Sequence, residues 1–270
     1  MLLETILEKI ESLPPLPQTI EDIENFRKKK DKEIDELVKI IEKDALVITT
    51  LLKVSNSSLF GFRSKVETVS RVINLLGINF TIYVAVSETI NNMLTTDLSP
   101  YGITSEDFMN ASTASSNLVN LWLGKINNEL KEEVLLASIL QETGKFILSE
   151  LITSRNITEE FTKLLQSGID IKDAEKELLE ITTSQVTAEI FKYWQLSDEL
   201  VDIIRFVDDI ENCPTEFKQK AQVLDVVKTA CQSNSLLSHS SVEKALKKAL
   251  TYNLDIEPLK KAIQTLQERL

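Results

Sequence analysis

One imidazole and two thiols are all that His and Cys supply to this 270-residue chain for nucleophilic or metal-binding chemistry. His239 stands in Leu237-Ser238-His239-Ser240-Ser241, a polar stretch before a helix, and reads as an exposed residue rather than a general base. Cys213 and Cys231 lie eighteen residues apart without a Cys-x-x-Cys pair, so they read as idle or buried thiols of a reducing compartment. A zinc site needs three or four Cys or His ligands, more than the chain spaces suitably. No Gly-x-Ser-x-Gly elbow presents a serine, and no segment places two glycines as phosphate loops require. Carboxylates are plentiful, which leaves a magnesium or manganese site open. Adjacent acids such as Asp208-Asp209 read more simply as a solvated helix end.

The elements that would position such groups are helical. Glycine and proline together make 12 of 270 residues, about 4% where about 12% is usual. Hairpin-rich folds need a turn every 8–12 residues, and these turns are missing. Apolar residues make up 43% of the chain, too many for a disordered one. A net charge of −12 disfavours broad contact with phosphate backbones or anionic membranes. The longest apolar run, residues 82–86, is far short of the ~20 that span a bilayer. The start Met1-Leu2-Leu3-Glu4 lacks the basic region of a signal peptide, so a cytoplasmic location is expected.

Apolar residues recur at helical spacing almost throughout. Ile6, Leu7, Ile10 and Leu13 mark a first amphipathic helix, stopped by Pro14-Pro15-Leu16-Pro17. Residues 78–94 are apolar enough for a buried helix, and 95–104, holding Pro100 and Gly102, form a joint. Thr104 with Asp107 makes a capping box. Asn128 is expected to cap a helix running through Leu151, with Gly144 inside it as a close crossing and Lys145 reaching out to solvent. Ser240 with Glu243 predicts another cap, and Pro258 a first helical position. Trp122 and Trp194 read as core residues. Asn56 and Ser57 end the helix through Leu51 and Val54, and the Asn56 amide is expected to pair backbone groups across a sharp, left-handed turn. The expected fold is all-α: a two-part bundle of about a dozen helices, with halves at 1–94 and 105–210 and an extension at 211–270 packed on the second.

Several segments in order resemble the HDOD domain, a bacterial signalling module related to HD-type metal phosphohydrolases. They are Leu13-Pro14-Pro15-Leu16-Pro17, then Ile40-Ile41-Glu42-Lys43-Asp44-Ala45-Leu46, then Leu51-Leu52-Lys53-Val54-Ser55-Asn56-Ser57 followed by Phe60-Gly61. Val69-Ser70-Arg71-Val72-Ile73-Asn74-Leu75-Leu76-Gly77 is similar to the family's helix ending in Leu-Gly. Ala137-Ser138-Ile139-Leu140-Gln141-Glu142-Thr143-Gly144-Lys145 resembles the segment where active HD enzymes carry their His-Asp pair. Val186-Thr187-Ala188, Trp194-Gln195-Leu196 and Ile203-Ile204-Arg205-Phe206 are similar to the closing helices. The resemblance covers about residues 10–210 and implies that the second half is HD-like.

By that resemblance, Gln141 stands where an HD enzyme has a metal-binding His and Glu142 where it has Asp. Thr183 replaces another His, Val207 and Asp208 replace a His-His pair, and Asn110 or Ala111 falls at a further position. A binuclear site of imidazoles and carboxylates does not survive losing every imidazole. Neither a metal nor another cofactor is therefore expected. The resemblance implies a non-catalytic signal-transduction role, exerted by binding a small signal or a signalling protein supplied in trans, with nucleic acid and membrane disfavoured as partners. The competing expectation is a divergent metal-dependent phosphohydrolase of nucleotides or cyclic dinucleotides, with one weak cation held by Glu142 and Asp208.

Overall fold

The structure is a computed structural model that describes residues 2–27, 29–57, 62 and 64–269, without the side chains of Leu2, Glu88, Asn91 and Asn92. Ser58, Phe60 and Gly61, part of the motif after Asn56, lie outside the described residues. The described residues are all-α, with no strand. No single helix among them is long and apolar enough to cross a membrane. The chain divides into two compact units, Pro14–Leu94 with Gln264–Leu270, and Met1–Leu13 with Thr95–Ile263.

In the smaller unit, α2 (Gln18–Arg27), α3 (Ile34–Ile41), α4 (Ala45–Ser55) and α5 (Val69–Leu76) all pack on α6 (Ile78–Met93). Ile20, Ile23, Phe26, Leu37, Leu51 and Ile82 fill its core. Asp44 caps α4 by accepting from the amides of Leu46 and Val47, and Thr68 caps α5 through the Arg71 amide. Pro14, Pro15 and Pro17 lead into α2, where the Pro17 carbonyl accepts from the Ile20 amide at 2.9 Å. Gly77 joins α5 to α6 at φ 84°, a backbone region that side chains with a Cβ rarely adopt. Asn56 follows α4 at φ −89°, so the turn is not left-handed as expected. Its amide reaches the far side of that turn nonetheless, accepting from the Val66 amide and donating to the Val66 carbonyl, each at 2.8 Å. Ser57 beside it is half-buried, with a hydroxyl that makes no hydrogen bond among the described residues.

The larger unit holds α1 (Leu2–Glu11), which was expected with the 1–94 half. Ile6 and Ile10 of α1 are buried as it packs on α9 (Lys145–Ser154) and α12 (Thr183–Tyr193). The Tyr193 hydroxyl donates to the Glu11 carbonyl at 3.1 Å, and Lys9 pairs with Glu150. Periodicity marks the apolar stripe of such a helix but not the surface it covers. After a 3-10 turn at Ser99–Tyr101, the capping box of Thr104 and Asp107 opens α7 (Ser105–Leu123), which packs on α8 (Asn128–Leu140). The cap of α8 is Asn127, one residue before the expected Asn128.

The expected long helix is broken at 141–144, so α8 and α9 are separate; such divisions give more helices than the dozen expected. The unit continues with α10 (Thr158–Gln166), α11 (Ile171–Leu179), α12 and α13 (Asp198–Arg205). Beyond 210, α14 (Thr215–Ala230) packs on α7, α8 and α13, and α15 (His239–Thr251) packs on α14. Ser238, not Ser240, caps α15 through the Ser241 amide, and α16 (Ile256–Gln267) begins two residues before Pro258. Trp122 is buried with its indole N–H on the Asp255 carbonyl at 3.3 Å, and Trp194 is buried as well.

Candidate functional site

The positions read above, by resemblance, as HD ligand positions lie in the larger unit. Gln141 and Glu142 occupy the turn between α8 and α9, Thr183 is the first residue of α12, and Val207 and Asp208 follow α13. Gly144 allows the turn to meet α12. Its amide donates to Thr187 Oγ1 at 2.8 Å, and a Cβ there would lie 2.4 Å from the Thr183 carbonyl oxygen and 2.9 Å from the Thr187 nitrogen. Both obstacles are backbone, so this glycine is a close crossing as expected, although it precedes α9 instead of lying within a helix. The same Thr187 hydroxyl also lies 3.2 Å from the Gln141 carbonyl.

At the centre of the convergence is an ammonium group. Lys228 of α14 donates to both oxygens of Asp208, at 2.9 and 3.0 Å. It lies 3.0 Å from Glu142 Oε1 in an ion pair without hydrogen-bond directionality. The other Glu142 oxygen pairs with Lys145, and the Ser184 amide points to Asp208 at 3.4 Å. Burial alone would raise the Asp208 carboxyl, but the Lys228 charge and hydrogen bonds outweigh it and hold Asp208 at about 2. Burial likewise opposes ionisation of Glu142, and Lys145 and Lys228 overcome it and lower this carboxyl. Burial would discharge Lys228, whereas Asp208, Glu142 and Glu175 raise it and keep it an ammonium.

Two expectations are corrected here. Asp208 is 6% exposed and no solvated helix end; two carboxylates that near each other need a shared cation, which α14 supplies. Lys145 does not reach solvent: it is 2% exposed, paired with Glu142 three residues before it and 5.5 Å from the centre of the Tyr101 ring.

A second buried carboxylate lies behind. Glu175 of α11 is fully buried; its Oε1 accepts from the hydroxyls of Tyr101, at 2.9 Å, and Thr183, and its Oε2 from the Thr183 amide at 2.7 Å. Burial, with help from the Asp208 charge, pushes its carboxyl up to about 7 against the opposing pull of Lys228 and Thr183. Thr183, read as a replaced ligand, is thus a donor to Glu175. Gln141 is 1% exposed, and its side-chain oxygen has no hydrogen-bond partner among the described residues. Val207 is fully buried. Asn110 and Ala111 lie on α7, with Ala111 buried.

The residues do not fit the metal pair that HD enzymes use. The imidazoles are gone, the remaining carboxylates are neutralised by lysines, and among the described residues no three His, Cys, Asp or Glu side chains gather as ligands. His239 is far out on the surface, its side chain 89% exposed, beside Glu243 at 3.3 Å. Both cysteines are free and buried, and burial pushes the Cys231 thiol up to about 12, which leaves it unreactive at neutral pH. Sequence reasoning did not find Lys228, Glu175 or Tyr101. The available signal was charge inside an apolar stretch, Val223-Leu224-Asp225-Val226-Val227-Lys228.

Known proteins share this fold. A protein of Shewanella amazonensis SB2B whose name suggests a phosphohydrolase superposes with a TM-score of 0.71 at 17% identity, over 98% of this chain and 93% of that one. An HDOD domain protein of unknown function from Geobacter sulfurreducens gives 0.68 at 16% identity, over 98% and 97%. A protein of Marinobacter aquaeolei VT8 whose name suggests signal transduction gives 0.73 at 19% identity, over 99% and 62%. In sequence, an uncharacterized protein of Treponema pallidum strain Nichols is 21% identical over 224 residues, 79% of this chain, and the chain spans 41% of that relative's length. The family model of the HDOD domain matches residues 13–210, a span that holds the proline entry, the Asn56 turn, Gln141, Glu142, Thr183 and Asp208. The chain belongs to the HDOD family.

Proposed function

We propose that this chain is a non-catalytic signal-transduction module that acts by binding, either to a small signalling ligand or to a signalling protein in trans. The observation that carries the reading is Lys228, whose ammonium stands between Glu142 and Asp208 where an HD hydrolase uses divalent cations. An ammonium neutralises the carboxylates but has no coordination position to fill, so it cannot activate a bound water as a divalent cation does. The signal-transduction name of the Marinobacter relative supports the role, and the phosphohydrolase name of the Shewanella relative marks the competing one. The proposal places the protein in the bacterial cytoplasm, where its two free thiols stay reduced.

The test is elemental analysis of the purified protein, with hydrolysis assays on p-nitrophenyl phosphate and bis-p-nitrophenyl phosphate in the presence of Mn²⁺. The expected result is no stoichiometric transition metal and no turnover above buffer. Two metals per chain, or turnover abolished by Asp208→Asn, would overturn the reading in favour of the hydrolase.

A further inference from the structure

A pocket of about 270 Å³ opens beside the Lys228 cluster, within the larger unit. Glu142, Asp208 and Lys228 form one wall; the start of α11 and the facing sides of α14 and α15 form the rest. Five lysines and four carboxylates line it. Every carboxylate is already engaged. Glu142 and Asp208 share Lys228, Asp170 holds Lys244 at 2.8 Å, and Asp225 accepts from Lys248 at 2.6 Å and from the Tyr252 hydroxyl at 2.7 Å. Lys172 and Lys247 remain. Lys172 helps lower the Asp208 carboxyl from a distance, yet neither ammonium makes a hydrogen bond or ion pair to a carboxylate among the described residues. A chain of net charge −12 thus carries a concave site with cations in excess.

We propose that this pocket binds a small organic anion, with its phosphate or carboxylate group held by Lys172 and Lys247 and its body against Ile171 and the Tyr252 ring. The inference rests on the reading that the chain works by binding, and it assigns the place and the ligand chemistry. The size selects one small molecule, since the volume of about 270 Å³ falls just below the ~300–1,000 Å³ usual for ligand pockets. The acidic surface elsewhere opposes a long polyanion. Because α14 and α15 supply much of the wall, occupancy would be sensed by the same helix that places Lys228.

The experiment is isothermal titration calorimetry of the full chain at low salt in EDTA, with inorganic phosphate, glycerol 3-phosphate and citrate as separate probes. The expected result is one saturable site for at least one probe, the phosphates and citrate distinguishing the two headgroup sources. Binding should weaken about tenfold or more in the Lys172→Gln/Lys247→Gln double variant. It should be unchanged in Lys163→Gln, an exposed lysine paired with Glu159 on α10. Thermal melts establish that the double variant is folded. No saturable binding of any probe, with or without Mn²⁺, would overturn the pocket assignment alone, as would equal affinity in the folded double variant. Binding that appears only when Mn²⁺ replaces EDTA would overturn the metal-free reading and this inference with it.

Discussion

Replacing Lys228 with methionine keeps a long unbranched side chain and removes the charge that Asp208 and Glu142 share. Three carboxylate oxygens then lose a cation at 2.9–3.0 Å. The Asp208 side chain is 3% exposed and keeps the long contact from the Ser184 amide; that of Glu142 is 16% exposed and keeps Lys145. Removing one partner of a buried ion pair costs about 3–5 kcal/mol, and with 14% of the Lys228 side chain open to solvent the loss should fall near 3 kcal/mol. That is a large part of the ~5–15 kcal/mol that holds a typical domain folded. Urea melts followed by Trp122 and Trp194, both buried in the same unit, report it.

The deficit also has a pH signature. Folding holds Asp208 at about 2 against 3.8 unfolded, so its stabilising contribution is complete above 3.8 and fades as pH falls towards 2. The Lys228→Met deficit should therefore be full at pH 7 and shrink in acid. A double variant, Lys228→Met/Asp208→Asn, should recover most of it at pH 7, because the uncompensated charge is gone. A loss under about 1 kcal/mol at pH 7, or no recovery in the double variant, would refute the claim that the ammonium stands in for the missing cations.

Glu175 gives the opposite pH dependence. Its carboxyl sits at about 7 when folded and 4.5 unfolded, so the folded chain retains a proton that the unfolded chain loses, and stability falls as pH rises from 4.5 to 7, by about 3 kcal/mol at most. Glu175→Gln removes that slope, so the wild-type melting temperature should fall relative to the variant's from pH 5 to pH 8; parallel curves would reject it. Asn56→Ala removes the two-point link to Val66 and should cost about 1 kcal/mol, since the site is exposed. An unfolding midpoint equal to wild type would reject this structural role for Asn56.

The residues that end helices and permit crossings were legible because their effects are local. Pro14-Pro15-Leu16-Pro17 stops α1 wherever the helix packs, and a glycine between Glu142 and Lys145 signals a near approach whether or not a helix surrounds it. Charge partners were not legible. Lys145 looks like a surface lysine until the turn at 141–144 places Glu142 over it, and Asp208 looks solvated until α14 arrives. Lys228 lies twenty residues beyond Asp208 and outside the matched span of 13–210. No periodicity or motif ties the two, since only tertiary packing brings them together.

That separation carries its own argument about the extension. Without imidazoles at these positions, Glu142 and Asp208 are two acids held close to one ammonium away from bulk water, and a fold that left such a pair uncompensated would be destabilised. A cation must come from the protein itself, and the helix that brings it is α14, packed on α7, α8 and α13. On the proposed reading, the extension is therefore part of the site that the altered ligand positions form. The same reading joins the missing imidazoles to the buried lysine, with Glu142 and Asp208 holding α14 in place through Lys228 instead of holding metal ions.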